Sequence, residues 1–161
     1  MIADQFYLRL AAQLALSCPR SETAFAVGAV IVSHSGAIIA TGYSREMGEG
    51  WHAEEVAIEK AKRAGADLTQ TVIYSSLEPC GKRLSRPLSC AHLIHQAGIP
   101  RVVYGVSEPP TFVDGNGAAI LKQYGIELLQ CQGVTRKFWE ANQHLLPRQP
   151  ATGNPAKRAA C

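Results

Sequence analysis

The chain has 161 residues, 47% of them hydrophobic, which suffices for one well-formed core and is short for two. Lysine and arginine exceed the acids by three, and the excess gathers around Lys82 to Arg86 and beyond residue 146; this favours a local anion site over a nucleic-acid-binding surface. No run approaches the roughly 18 apolar residues of a membrane span, and the start Met1-Ile2-Ala3-Asp4-Gln5 lacks a signal-peptide layout, so a cytoplasmic protein without a membrane partner is expected.

In chain order, Phe6, Leu10, Gln13, Leu14 and Ser17 recur at helical spacing, predicting an amphipathic helix over residues 3–18 that ends before Pro19. Val27–Ser33 and Ala37–Tyr43 are β-rich runs joined around His34-Ser35-Gly36, the pattern of an antiparallel hairpin. A helix follows over Ala53–Ala64, with a small-residue stripe of Ala53, Val56, Ala57, Lys60, Ala61 and Ala64. Glu55, Glu59, Lys62 and Arg63 lie on its other side, and Gly65 stops it.

The second half alternates. Strands are predicted at Thr71–Ser76, Arg101–Val106 and Ile126–Gln130, and helices at Cys90–Ala97, Ala118–Tyr124 and Thr135–Leu145. Strand-helix alternation implies parallel pairing with helices on the faces of the sheet. Residues 1–146 read as one catalytic domain. Residues 147–161, rich in Pro, Ala, Lys and Arg without apolar period, read as a flexible tail.

Five cysteines in an irregular, odd-numbered set argue against a disulfide framework and for reduced thiols. Two of them, Cys80 after a Leu-Glu-Pro turn and Cys90 at a helix start, combine with His52 of Trp51-His52-Ala53-Glu54. One imidazole and two thiolates suit zinc and leave a fourth tetrahedral position open, as catalysis requires. Residues two apart on a helix point to different sides, so His52 and Glu54 share a site only if the metal lies off the helix end. Glu54 is then the proton carrier beside the metal and not a ligand, and a zinc-bound water would ionise near neutral pH.

Taken singly, His52 reads more readily as a helix-capping or surface residue, and Cys80 as a small buried hydrophobe. The ordered set changes that balance. His92 and His95 are assigned to packing or surface, and Cys18, Cys131 and Cys161 have no partners at ligand spacing. Asp114-Gly115-Asn116-Gly117 lacks the alternating acids of a calcium loop and is read as a turn bordering the substrate.

These residues resemble the cytidine-deaminase-like superfamily, and within it most nearly the pyrimidine-deaminase branch of riboflavin biosynthesis. The likeness rests on Val27-Gly28-Ala29-Val30-Ile31-Val32, Gly42-Tyr43, His52-Ala53-Glu54, Ser76-Leu77-Glu78-Pro79-Cys80, the nine residues between Cys80 and Cys90, and Gly125-Ile126-Glu127. It implies a three-layer α/β/α fold around a five-stranded mixed sheet, with Zn2+ as cofactor. It also implies hydrolytic removal of ammonia from an aminopyrimidine, expected to be the diaminohydroxyphosphoribosylaminopyrimidine of the riboflavin route. Two features depart from that branch: Ala24-Phe25 stands where it usually has Asn-Pro, and the inter-cysteine loop reads Gly81-Lys82-Arg83-Leu84-Ser85-Arg86-Pro87-Leu88-Ser89.

Lys82, Arg83 and Arg86 on that loop are candidate phosphate contacts and Asn116 a candidate substrate contact; a solvated basic loop is the competing reading. Deamination of another nucleotide, nucleoside or specialised aminopyrimidine is the alternative function. A nucleic-acid-editing deaminase is disfavoured by modest charge and few aromatics, and a structural zinc module would want a fourth ligand and no Glu54. The resemblance leaves a homo-oligomer open, and a reductase of the same pathway is expected as a separate protein.

Overall fold

The computed structural model describes residues 2–109, 111–112 and 116–146, so the expected tail at 147–161, with Cys161, and residues 114 and 115 of the 114–117 turn lie outside the described residues. Strands β1 (Gly28–Ser33), β2 (Ile38–Tyr43), β3 (Thr71–Leu77), β4 (Arg101–Val106) and β5 (Glu127–Gln130) form one sheet in the order β2-β1-β3-β4-β5. β1 is antiparallel to both β2 and β3, while β4 and β5 run parallel to β3, as the hairpin and the later alternation predict.

Side chains along a strand alternate between faces, and the central strands are apolar on both. Ala29, Ile31, Ile73 and Val102 face a core shared with α2 (Ala53–Arg63), α3 (Cys90–Gln96) and α4 (Gly117–Gln123), which contribute Ala57, Ile94 and Leu121 among others. Val30, Val32, Tyr74 and Val103 face the opposite way, onto Leu8, Ala11 and Ala12 of α1 (Ile2–Leu14) and onto Val134 before α5 (Thr135–Ala141). The result is the expected three-layer α/β/α arrangement. No helix among the described residues is long and apolar enough to cross a membrane.

Two helices are shorter than their periodicity suggests. The α-helical part of the first ends at Leu14 and tightens into a 3₁₀ turn over Ala15–Ser17. The last breaks at Asn142, which is fully buried, before a 3₁₀ turn at Gln143–Leu145. The Asn142 side chain accepts a hydrogen bond from the Ala26 N–H at 2.7 Å. It also donates to the Ala26 carbonyl at 3.0 Å and the Phe138 carbonyl at 2.9 Å. An asparagine amide competes with the helix for backbone partners, and here the competition ties the C-terminal helix to the segment entering β1.

The backbone of α2 packs directly on Gly42 of β2, which has no side chain. A Cβ there would stand 2.4 Å from the Ala53 carbonyl oxygen, 2.7 Å from the Ala57 nitrogen and 2.9 Å from the Val56 Cβ. Ala53, Ala57 and Ala61, all fully buried, keep the rest of that contact thin. Overpacking such a contact costs about 1–3 kcal/mol. Gly42→Ala is therefore expected to destabilise the protein by that amount in urea unfolding and, by displacing the start of α2, to weaken zinc retention against a chelator.

Candidate metal centre and its cavity

The carboxyl ends of parallel strands are where open α/β sheets present ligand sites. Cys80 stands three residues beyond β3, and Cys90 opens α3 behind the N-cap Ser89, whose hydroxyl accepts from the His92 N–H. His52 is the N-cap residue of α2, with extended backbone (φ −89°, ψ 156°), and its ring makes no capping bond. The imidazole is thereby left for other work. Its Nδ1 lies 3.5 Å from the Cys80 Sγ and 3.4 Å from the Cys90 Sγ, and all three donor atoms fall within 4.8 Å of one another. Nitrogen and sulfur ligands on a tetrahedral zinc stand about 3.6 Å apart, so the donor set and its spacing fit that ion.

The Cys90 backbone N–H donates to the Cys80 Sγ at 3.4 Å, and the Ala91 N–H donates to the Cys80 carbonyl at 3.1 Å, fixing the Pro79-Cys80 turn on the start of α3. The interaction between the two sulfurs draws the Cys80 thiol well below its ordinary pKa and, with burial, leaves Cys90 well above it. The pair thus carries one thiolate readily even before a cation is considered. Burial works against a charged His52, but the hydrogen bond and charge of Cys80, with the charge of Glu54, leave its pKa above the usual value.

Glu54 occupies the first turn of α2 and is 3% exposed. One carboxylate oxygen accepts from the Ser75 hydroxyl at 2.7 Å and the other faces the Cys90 Sγ at 3.3 Å. Burial raises its pKa first, and the negative charge of Cys80 raises it further. The helix end thus presents His52 and Glu54 to one point, as the off-the-end geometry requires.

A cavity of about 590 Å³ opens over this group, walled by Phe25, Trp51, Glu78, Glu108 and Phe112 besides His52, Glu54 and Cys80. Ala24 and Phe25, which replace the Asn-Pro of the resembling branch, form part of the wall, and Phe25 packs its ring edge-on against Phe112 at 5.0 Å. Lys82 lies exposed on the rim and Arg83 lines the wall. Arg83, however, spends both terminal nitrogens on Glu55 at 3.0 Å each, and Arg86 lies 3.3 Å from the same carboxylate while covering the Trp51 ring at 4.1 Å. Arg86 and Asn116 are not among the cavity-lining residues; Asn116 packs against Gly81, where even a methyl group would collide with its Oδ1. His95 stacks on Tyr124 at 3.8 Å, and Cys18 and Cys131 carry free thiols.

Glu55, read from the helix stripe as solvent-facing, is instead covered by the inter-cysteine loop: its side chain is 12% exposed and that of Arg83 only 4%. Two polar residues of the site, Ser75 and Glu108, escape a reading by motif, and a third, Glu78, stands within the Ser76–Cys80 motif without a role assigned from the sequence. Ser75 is signalled only by being polar within an apolar strand. Glu78 accepts from the Ala118 N–H at 2.9 Å and the Glu108 N–H at 3.3 Å, joining the ends of β3 and β4. Glu108 follows β4 with no local pattern to mark it.

The family model of the cytidine and deoxycytidylate deaminase zinc-binding region matches residues 1–106. The chain belongs to this deaminase family. It is 44% identical over 126 residues to a Schizosaccharomyces pombe protein named diaminohydroxyphosphoribosylamino-pyrimidine deaminase, an overlap of 77% of this chain and 31% of that protein. The Rib2 deaminase of Aspergillus oryzae, solved in complex with DARIPP, superposes with a TM-score of 0.75 at 30% identity over 86% of this chain and 89% of the other. A Thermotoga maritima deaminase/reductase superposes with a TM-score of 0.71 at 30% identity, covering 89% of this chain and 40% of that one. The chain spans only 26–40% of the length of the curated riboflavin-biosynthesis relatives it matches.

Removing one partner of a buried ion pair strands the other charge and costs about 3–5 kcal/mol, whereas a half-exposed pair contributes about 1 kcal/mol or less. Glu55→Ala is therefore expected to destabilise the zinc-loaded protein several-fold more than Arg86→Ala in urea unfolding. Equal losses would mean that the Glu55–Arg83 contact does not hold the loop.

Proposed function

We propose that the protein is a zinc-dependent hydrolytic deaminase of diaminohydroxyphosphoribosylaminopyrimidine, with His52, Cys80 and Cys90 holding the metal and Glu54 carrying protons. The observation that supports this most directly is the buried Glu54 carboxylate standing beside, but outside, the triangle of His52, Cys80 and Cys90 donors. The cavity volume lies within the roughly 300–1,000 Å³ usual for small-molecule sites. The names of the S. pombe and A. oryzae relatives point to the same substrate class.

When bound, zinc supplies a water acidic enough to ionise near neutral pH. Glu54 takes the proton released as the water oxygen adds to the ring carbon bearing the exocyclic amine. It returns that proton to the ring nitrogen, then takes the second proton from the added hydroxyl and passes it to the departing amine, so that the carbon becomes a carbonyl, its bond to the amine breaks and ammonia leaves. A carboxyl with a raised pKa suits this shuttle because it must hold a proton between the two steps. Ser75 fixes the carboxylate's orientation through its hydroxyl. Lys82, exposed on the rim, would meet a phosphate first; Arg83 and Arg86 would reach one only by sharing it with Glu55. The product is the uracil for which the reductase half of the T. maritima protein is named, and we assign its reduction to an enzyme of that class.

The test is ammonia release by the zinc-loaded protein from the diaminopyrimidine ribonucleotide, CMP, dCMP and cytidine in parallel. Release from the first is expected to dominate; no release from it defeats the substrate assignment. Glu54→Gln should keep stoichiometric zinc and lose at least about 10²–10⁴-fold in kcat, while Cys80→Ser should lose the metal itself. The Ser75 hydroxyl favours the ionised form of Glu54. Ser75→Ala therefore raises the Glu54 pKa, and the acidic limb of the kcat/KM profile is expected to move to higher pH; a shift to lower pH would contradict the assignment of that limb to Glu54.

A further inference from the structure

Four glutamates line the cavity: Glu49 is exposed, whereas Glu54, Glu78 and Glu108 stand close enough for their charges to interact. Of these three, two have partners. Glu54 is bonded to Ser75 and faces Cys90, and Glu78 accepts two backbone N–H groups. Glu108 differs: its Oε2 is buried and has no hydrogen-bond partner among the described residues. Buried polar atoms of native proteins are nearly always paired, so an unpaired acceptor on the wall of a binding cavity is paired by what enters it. Its position is also fixed, because the Glu108 N–H donates to Glu78 and so docks the end of β4 on the turn that carries Cys80.

The surroundings say what the partner must be. Burial, then the negative charges of Cys80, Glu54 and Glu78, raise the Glu108 pKa to about 8, with His52 opposing. Of the cations lining the cavity, Arg45 donates to the carbonyls of Pro19 and Phe25 and Arg83 turns its terminal nitrogens to Glu55, while Lys82 lies exposed on the rim and Arg83 Nε is buried without a partner among the described residues. Next to Glu108 stand the carboxylates of Glu54 and Glu78, and no cation among the described residues bonds its Oε2. In either protonation state a carboxyl keeps an acceptor oxygen, so the complement is a ligand that brings N–H groups.

The geometry points to Glu108 as a specificity-determining residue that accepts a hydrogen bond from an amino substituent of the pyrimidine other than the one that leaves. It would thereby select polyamino pyrimidines over cytosine-type rings, whose single amine is the departing one. This inference rests on the aminopyrimidine reading above and deepens it. A site built to bond a particular N–H discriminates strongly against rings that lack it, because its acceptor is then left unpaired.

The experiment compares wild type, Glu108→Ala and Glu108→Gln, all zinc-loaded, for kcat and KM on the diaminopyrimidine ribonucleotide and for inhibition of that reaction by CMP. Glu108→Ala is expected to raise KM by about 10–100-fold with kcat changed far less, zinc content intact and CMP inhibition the same as in wild type. Glu108→Gln keeps the shape and one acceptor oxygen, and should fall between the two. An unchanged KM in Glu108→Ala, or a parallel weakening of CMP inhibition, overturns the inference while wild-type turnover leaves the functional reading standing. Failure of wild type to turn over the ribonucleotide overturns both.

Discussion

Where β2 meets α2, the main chain of the helix rests on Gly42 with no room for a methyl group. That contact fixes the depth of the helix against the sheet and, with it, the place of its first turn. His52 and Glu54 both belong to that turn, one as the residue before the helix and the other within it. Side chains two apart cannot converge along a helix flank, so the site exists only because the helix points end-on at Cys80 and Cys90. A coarse packing constraint between backbone atoms thus sets a chemical geometry that no single side chain determines.

Cys80 and Cys90 reach the same point by a different route. The turn after β3 is held by Glu78 bridging to the amides of Glu108 and Ala118, and by the first amides of α3. The long loop between the cysteines is held from outside by Glu55 through Arg83, with Arg86 closing over Trp51. The basic loop therefore has a structural task of its own. Its arginines neutralise one helix carboxylate, leaving Lys82 as the cation that faces the rim.

Much of this was legible in the amino-acid sequence because it is local or ordered. The hairpin, the strand-helix alternation and the order His52, Glu54, Cys80, Cys90 each depend on residues that announce their roles by spacing. What was hidden depends on partners far along the chain. The helical stripe places Glu55 outside, and only the folded loop shows Arg83 covering it. The apolar period runs through Asn142, yet its amide finds Ala26 across 116 residues of chain and stops the helix. Glu108 carries no pattern at all, since its meaning is the absence of a bond inside a cavity that the sequence does not outline.

The bond from Asn142 to Ala26 has a reach beyond the helix it ends. Ala24, Phe25 and Val27 form part of the cavity wall, and the strand entry they belong to is fastened at Ala26 to an element more than a hundred residues later. Phe25 meets that element again through Phe138 and Trp139. The shape offered to a pyrimidine ring is thus set partly by residues outside the matched family segment, which ends at 106. Related chains can share every metal donor and still diverge in what they accept, by altering a helix that touches neither metal nor proton carrier.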